Sequence, residues 1–417
     1  MASRATSRRR SSRAGRPVPS SDPPDTVEVE LTGFAGTPDA AVTVGAATDG
    51  SPVRALYGLP GERVELEVWA RRDEGIEGRV VRVLRPSPER VDAPCPYFGQ
   101  CGGCQLQHMP YERQLERKRA AVVAHLVAGA GLCEPPVLPT LPAPLTYGYR
   151  NHIRFSVGRR LGEVGFTTAH RHRFMPVDAC PIAHPRINEI LTASQRHASG
   201  HQLAIRVGTR TGDLLVNPAQ EAPDLPYPSG QTDFDEEILG RRYRVSAAAF
   251  FQVNTPQAER LIEVVRAALD PRGDEVLLDL YCGVGTFGLA LAPLVRRVIG
   301  LEESAAALKD ARHNARDLRN VEFVAGRTED ALPALAEPAE LVVVDPPRAG
   351  CRPAALAALL RLAPRKLVYV SCDASTLARD LRVLLDGGFT LHSVQPVDMF
   401  PQTAHVETVS LLVGSRW

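Results

Sequence analysis

The chain has 417 residues, a net charge of +1, and 44% hydrophobic and 23% charged side chains, a balance that leaves room for two or three buried cores. No apolar run approaches the roughly 18 to 20 residues a membrane span needs, and Arg8-Arg9-Arg10 leads into Ser, Gly and Pro, so a cytoplasmic protein without a membrane anchor is expected. Near-neutrality excludes a globally basic nucleic-acid binder, and eight cysteines in such a chain point to metal or catalytic roles and away from a disulfide framework.

Residues 1–25 carry six arginines, no acid before Asp22 and no apolar period. They read as a disordered basic tail, either solubilising or in weak contact with RNA. Over 26–86, alternating runs at 27–31, 41–44, 63–68 and 78–84 are separated by turns rich in Gly and Pro. This spacing predicts a small β-barrel of the size used by oligonucleotide-binding folds.

A central domain is expected over 87–240. Cys95, Cys101 and Cys104 fall within ten positions, and Gly102 and Gly103 let the backbone fold tightly between them. Cys180, in Asp178-Ala-Cys-Pro-Ile182, completes four thiolates, which suit an iron–sulfur cluster or a zinc ion. Spacing leaves both open, although zinc more often uses two short Cys hooks.

Residues 109–126 predict a helix with a highly charged face, turned either to solvent or to RNA. Between 141 and 175 stand six arginines, Arg150, Arg159, Arg160 and Arg171 among them, with five Tyr or Phe and one acid, Glu163. Cations interleaved with aromatics suit a groove that holds phosphates and stacks unpaired bases; a sheet with a basic polar face is the alternative. Short β-like runs follow from 203 to 245, and an amphipathic helix ends near Leu269. The last domain is placed at 241–417.

In 275–292 an apolar strand stops at Tyr281, Gly283 and Gly285 follow, and a helical pattern begins by Phe287. Glycines there permit positive φ and close approach of a ligand to the backbone; taken alone they also fit an unligated turn. The next apolar strand ends in Glu302, roughly 20 residues on, where doubly wound folds place an acid for a ribose. Gly288 completes Gly-x-Gly-x-x-Gly, so a dinucleotide stays possible. Asp279 would repel a pyrophosphate but suits the amine and sulfonium of S-adenosylmethionine. That cofactor is the first candidate, NAD the second.

Strands at 321–324, 341–345 and 367–371, then two in succession at 389–396 and 405–412, predict a doubly wound sheet with a late hairpin. Active groups then belong at carboxyl ends of strands. Strand four ends in Asp345-Pro-Pro-Arg348, with Arg348 where an aromatic would otherwise stack on a base, and strand five ends in Ser371-Cys372. A thiol there suggests covalent catalysis on a pyrimidine, whose carbon 5 is too poor a nucleophile to take a methyl unaided. The cycle needs a base, and Glu407, an acid interrupting an apolar strand, is the candidate. The bland alternatives are a small buried cysteine and an outward-facing strand residue. Cys351 is a rival thiol; Cys133 and Cys282 read as packing residues.

Together, Phe250-Phe-Gln-Val-Asn254, Asp279-Leu-Tyr-Cys-Gly-x-Gly285, Asp345-Pro-Pro-Arg-x-Gly350, Ser371-Cys372 with Thr376-Leu-Ala-Arg-Asp380, and His405-Val-Glu407 resemble the RNA uracil-5 methyltransferases. The likeness covers nearly everything after residue 25. The Cys95, Cys101, Cys104 and Cys180 set behind an amino-terminal barrel resembles their ribosomal branch, with a TRAM domain and a 4Fe-4S cluster. The resemblance implies a multi-domain α/β protein: a TRAM/OB-like β-barrel, an iron–sulfur α+β domain and a Rossmann-like, doubly wound methyltransferase domain.

It further implies S-adenosylmethionine contacts from Gln252, Tyr281, Glu302 and Asp345 beside Gly283 and Gly285, with Thr286 in a position often held by Asn. Cys372 becomes the nucleophile, Glu407 the base, and Phe250 the neighbour of a flipped uracil; Arg150 and Arg348 join as RNA contacts. It favours a 4Fe-4S cluster over zinc and S-adenosylmethionine over NAD, in a monomer acting on 23S ribosomal RNA, with transfer RNA as the alternative. An RNA-binding or assembly factor without turnover is the rival from another class, against which Cys372 and Glu407 both stand. Two positions depart from the family pattern. Asp373 is followed by Ala374 where Pro is usual, and Gly326-Arg327-Thr328 replaces a commonly acidic adenine-side residue, leaving Glu329 or Asp330 as substitutes.

Overall fold

A computed structural model describes residues 25–35, 40–158, 162–170, 172–220, 225–335 and 338–415. The basic tail, Arg159, Arg160 and Arg171 lie outside the described residues, apart from Asp25 at the tail's end. Strands β1 (Thr26–Phe34), β2 (Val42–Ala47), β3 (Pro52–Leu56), β4 (Arg63–Arg72) and β5 (Gly75–Arg85) close a barrel in the order β1-β2-β3-β5-β4. Val29, Leu31, Val53, Val64, Leu66 and Ile76 fill it. β3 was not among the expected runs, because it is five residues long, starts at Pro52 and buries only Val53 and Ala55.

The barrel leans on the segment that carries the first three thiols and on the loop after the strand Val164–Thr167. Tyr57 meets Phe98 edge-on at 5.0 Å, Trp69 stacks on His170 at 4.9 Å, and Arg79 donates to the Gly99 carbonyl. Next comes α1 (Tyr111–His125), extended by a π-turn, Leu126–Ala130. Its charged face is not simply solvated. Lys118 is fully buried and bonds Asp398 and the Phe400 carbonyl, while Tyr111 Oη donates to the other Asp398 oxygen at 2.8 Å. On another face, Arg117 lies 4.0 Å over the Phe34 ring of the barrel.

Strands β6 (His152–Val157), β7 (Val164–Thr167), β8 (Phe174–Pro176), β9 (Gln202–Val207) and β10 (Leu214–Asn217) form a sheet ordered β10-β9-β6-β7-β8. α2 (Pro185–Ser194) covers it through Ile187, Ile190 and Leu191. The hairpin β11 (Asp233–Ile238) and β12 (Arg241–Ser246) straddles residue 240. Its Phe234, Ile238, Tyr243 and Val245 share one core with Leu261 and Val265 of α3 (Thr255–Leu269).

The large sheet is built from β13 (Val276–Leu280), β14 (Arg297–Glu302), β15 (Val321–Ala325), β16 (Leu341–Val344), β17 (Lys366–Ser371), β18 (Phe389–Val397) and β19 (Glu407–Gly414). Their order is β15-β14-β13-β16-β17-β19-β18, parallel except for β19, which runs antiparallel to both neighbours. α4 (Thr286–Leu291) and α5 (Ala305–Asn314) join α3 on one face. α6 (Thr328–Ala331), α7 (Pro353–Leu362) and α8 (Ala374–Asp386) lie on the other, where α1 also packs. Covered on both faces, β13 and β16 are buried at every position, Asp279 of β13 included.

Candidate active site

Strand register brings the expected residues together. Leu280 pairs with both Leu301 and Val344, so the residues that follow, Tyr281, Glu302 and Asp345, stand abreast at the carboxyl edge. Ser371 pairs with Thr408 across β17 and β19, so Cys372 leaves its strand opposite Glu407, where β19 begins. Both groups thus reach one edge from strands whose pairing permits no slip without turning apolar side chains outward.

The glycine turn is held by the acids around it. Tyr281, Gly283 and Gly285 all take positive φ, 61°, 57° and 90°, and a Cβ at Gly283 would meet only open space, so the backbone there can face a ligand. Gly283 N–H donates to Glu302 Oε2 at 2.9 Å, and Ser304 N–H donates to Oε1 at 2.7 Å. Each carboxylate oxygen keeps a lone pair that a hydroxyl can reach. Thr286 opens α4 and its carbonyl accepts from Tyr243 Oη at 3.3 Å.

Gln252 is buried, in a segment docked on Asn151, whose N–H donates to Val253 O at 2.9 Å. Two residues earlier, Phe250 is 70% exposed between buried Ala249 and Phe251.

The edge favours positive charge. Asp279 takes the Gly288 N–H on Oδ2 at 2.7 Å, while its buried Oδ1 has no hydrogen-bond partner among the described residues. Burial, opposed by that bond, pushes its carboxyl up to about 7. Asp345 is pushed up to about 7 as well, by burial and then by Asp279. Glu407, 5% exposed, is pushed well above the carboxylate range by burial and by Asp345, against the pull of the Arg348 guanidinium. An unpartnered buried carboxylate oxygen beside a second, half-buried acid is costly unless a cation completes it, and the ammonium and sulfonium of S-adenosylmethionine fit that requirement.

Cys372 is half-buried, and its thiol is pushed up to about 11 by burial and by Glu407, with Arg348 opposing. Its rival Cys351 is buried and its thiol is pushed up to about 12, again chiefly by burial, and it donates its backbone N–H to Asp380 and lies off the β17–β19 register that faces Glu407. Cys282 is buried as a packing residue, whereas Cys133, expected to pack, is exposed.

The four thiols of the central domain line one cavity of ≈ 600 Å³, which also reaches Arg150, Arg348 and His405. Tyr97 ties their two loops: its hydroxyl donates to Asp178 Oδ2 at 3.1 Å and accepts from Asp178 N–H at 3.0 Å. All four are free of disulfides. Burial pushes Cys104 up to about 12, and the other three thiols add to that rise. Among the described residues no group of three or more His, Cys, Asp or Glu is gathered closely enough to hold a metal ion. Of the two adenine-side substitutes, Asp330 faces solvent, whereas Glu329 bonds Arg352 at 3.1 Å and lines a second cavity with Tyr281.

Sequence reasoning missed the clamp between the thiol loop and the hairpin leading into Glu407. Gln105 and Leu106 N–H both donate to Gln402 O at 3.0 Å, Gln114 Nε2 donates to Gln402 Oε1 at 3.0 Å while Gln402 N–H donates to Gln114 Oε1 at 3.1 Å, and Tyr149 Oη donates to Pro401 O at 2.9 Å. One signal was available: Lys118 is one of three lysines in a chain that otherwise uses arginine.

A sheet in this order with one reversed strand, a glycine turn after its central strand and an acid ending the next defines a class, the S-adenosylmethionine-dependent methyltransferases. Residues 235–414 match the family described as tRNA (Uracil-5-)-methyltransferase. The chain is 37% identical to an uncharacterized RNA methyltransferase of Gloeobacter violaceus, covering 94% of this chain and 97% of that one. It is 36% identical to a counterpart in Thermosynechococcus vestitus, over 86% and 92%. The solved structure of Pyrococcus abyssi tRNA (uracil-54, C5)-methyltransferase, in complex with S-adenosyl-L-homocysteine, superposes with a TM-score of 0.72 at 25% identity, covering 93% of this chain and 100% of that one. The chain belongs to the S-adenosylmethionine-dependent RNA (uracil-5-)-methyltransferases. Among the described residues no helix is long and apolar enough to cross a membrane.

Proposed function

We propose that the protein methylates carbon 5 of a uridine in folded RNA through a covalent bond from Cys372 to carbon 6. The observation that carries this reading is the register that sets Cys372 opposite Glu407, with the Arg348 charge bearing on both. Cys372 Sγ adds as a thiolate to carbon 6, and the electron pair moves onto the ring as an enolate, nucleophilic at carbon 5. S-adenosylmethionine, which Gln252, Tyr281, Gly283, Gly285, Thr286, Glu302 and Asp345 would hold, would give its methyl to carbon 5 as its S–CH3 bond breaks and leave as neutral S-adenosylhomocysteine. Glu407 in its ionised form, which the Arg348 charge favours, removes the carbon 5 proton, the ring double bond re-forms, and Cys372 leaves as thiolate. The uridine must leave its stack to meet the thiol, and exposed Phe250 offers it an aromatic face.

The proposed substrate is 23S ribosomal RNA, on the likeness of barrel and thiol set to the ribosomal branch, with Arg150 and Arg348 contacting the strand. Transfer RNA is the second reading, and the archaeal tRNA enzyme favours it, because the likeness covers 93% of this chain, far more than the catalytic sheet. Mass-spectrometric mapping of 5-methyluridine in ribosomal and transfer RNA from a strain lacking the gene decides. Loss of a ribosomal site supports the first reading, loss of a transfer RNA site alone supports the second, and no loss in either removes both.

The cavity lined by Cys95, Cys101, Cys104 and Cys180 is proposed to hold a 4Fe-4S cluster, on the likeness of the thiol set to the ribosomal branch and because four soft thiolate donors line one cavity. Anaerobically purified protein should be brown and carry about four irons per chain. A colourless preparation with stoichiometric zinc contradicts this.

A further inference from the structure

Helix α8 starts directly after Cys372 and carries Thr376, Arg379 and Asp380 at i, i+3 and i+4, on one face. That face grips the loop that follows Asp345. Thr376 Oγ1 donates to Arg348 O at 3.0 Å, Arg379 Nη2 to Ala349 O at 2.8 Å, and Cys351 N–H to Asp380 Oδ2 at 2.7 Å. The same Asp380 oxygen accepts from Tyr369 Oη of β17 at 2.6 Å, and Oδ1 takes Arg379 Nε at 2.8 Å. Asp380 is wholly buried, so each bond serves a charge that water cannot reach. The loop is shaped for the contact: Gly350 takes φ +73°, and a Cβ there would stand 2.6 Å from Asp380 Oδ2.

We propose that Asp380, with Thr376 and Arg379, is a positioning residue that fixes Arg348 against Cys372 and Glu407. The inference rests on Cys372 being the nucleophile. The helix that follows the nucleophile thereby holds the backbone that carries Arg348, whose charge opposes the rise at the Cys372 thiol. Each of the three acts through the backbone of the loop.

The test is the rate at which iodoacetamide alkylates Cys372 at a fixed pH below its midpoint, resolved by peptide mass spectrometry, alongside methyl transfer. If Arg348 drifts away, less thiolate forms. Asp380→Asn and Thr376→Val should each slow alkylation about three- to tenfold and lower kcat about 10- to 100-fold, with KM for S-adenosylmethionine within about twofold. Thr376→Ser, which keeps the hydroxyl, should restore both. Adding Arg348→Gln to Asp380→Asn should slow alkylation no further. If Asp380→Asn does not fold, Thr376→Val and Thr376→Ser decide alone. Wild-type alkylation and kcat in folded variants, or additive effects with Arg348→Gln, overturn the proposal. Turnover that survives complete alkylation of Cys372 instead removes the nucleophile reading beneath it.

Discussion

Cysteine chemistry stands in two regions of this molecule, built on different plans. Cys372 and Glu407 face each other because β17 and β19 pair residue by residue, so their meeting is written into an apolar register. Cys95, Cys101, Cys104 and Cys180 share a cavity because two distant loops dock, through the Tyr97–Asp178 pair and the barrel's grip on Phe98 and Gly99. A site held by register is lost only with its sheet; a site held by docking is open to damage at each contact. The regions are joined at Gln402, which takes bonds from Gln105 and Leu106 five residues before Glu407.

The largest effect is expected at the register-held site. Glu407→Gln should lower turnover about 10²- to 10⁴-fold while leaving thermal stability near wild type. The methylated Cys372 adduct should accumulate, because carbon 5 keeps its proton. Gel analysis of enzyme with substrate RNA checks this, and normal turnover in the variant would move the base elsewhere.

Next is the joint between the regions. Lys118→Ala leaves the buried Asp398 carboxylate without its ammonium, a change that costs about 3–5 kcal/mol at such sites. Urea unfolding measures it. A loss below about 1 kcal/mol would mean that Tyr111 satisfies Asp398 alone.

The smallest effect is on cofactor affinity. Asp279 and Asp345 are both pushed up to about 7, so each holds its proton below that pH. A cation binds their ionised forms, so affinity for S-adenosylmethionine should rise up to about tenfold from about pH 6 to about pH 8, with proton release. Calorimetry in buffers of different ionisation enthalpy reads the proton directly. Affinity flat across that range would detach both acids from the cofactor.

The catalytic sheet was legible because its strands are short apolar runs ended by Gly, Pro or an acid, and the chemistry lies at those ends. Glu302, Asp345 and Cys372 could be placed by counting from the last apolar residue. β3 escaped because it is five residues long and starts at Pro52, so its alternation, with only Val53 and Ala55 turned inward, is too short to read. Lys118 escaped because charge on a helix reads as surface, and its partner Asp398 is 280 residues away. The Asp380 clamp escaped for a related reason: its main contact is to the backbone of Cys351, which no side-chain pattern records. Cys133 was misplaced because an isolated cysteine carries no period to say which way it faces.

The central claim is that the Cys372 sulfur bonds to carbon 6 of the target uridine. RNA carrying 5-fluorouridine has no carbon 5 proton for Glu407 to remove, so in the presence of S-adenosylmethionine the reaction should halt at a denaturant-resistant adduct. Tryptic mass spectrometry should place it at Cys372, and Cys372→Ala should form none. An adduct through another thiol, or none from an enzyme that methylates ordinary RNA, would contradict the account.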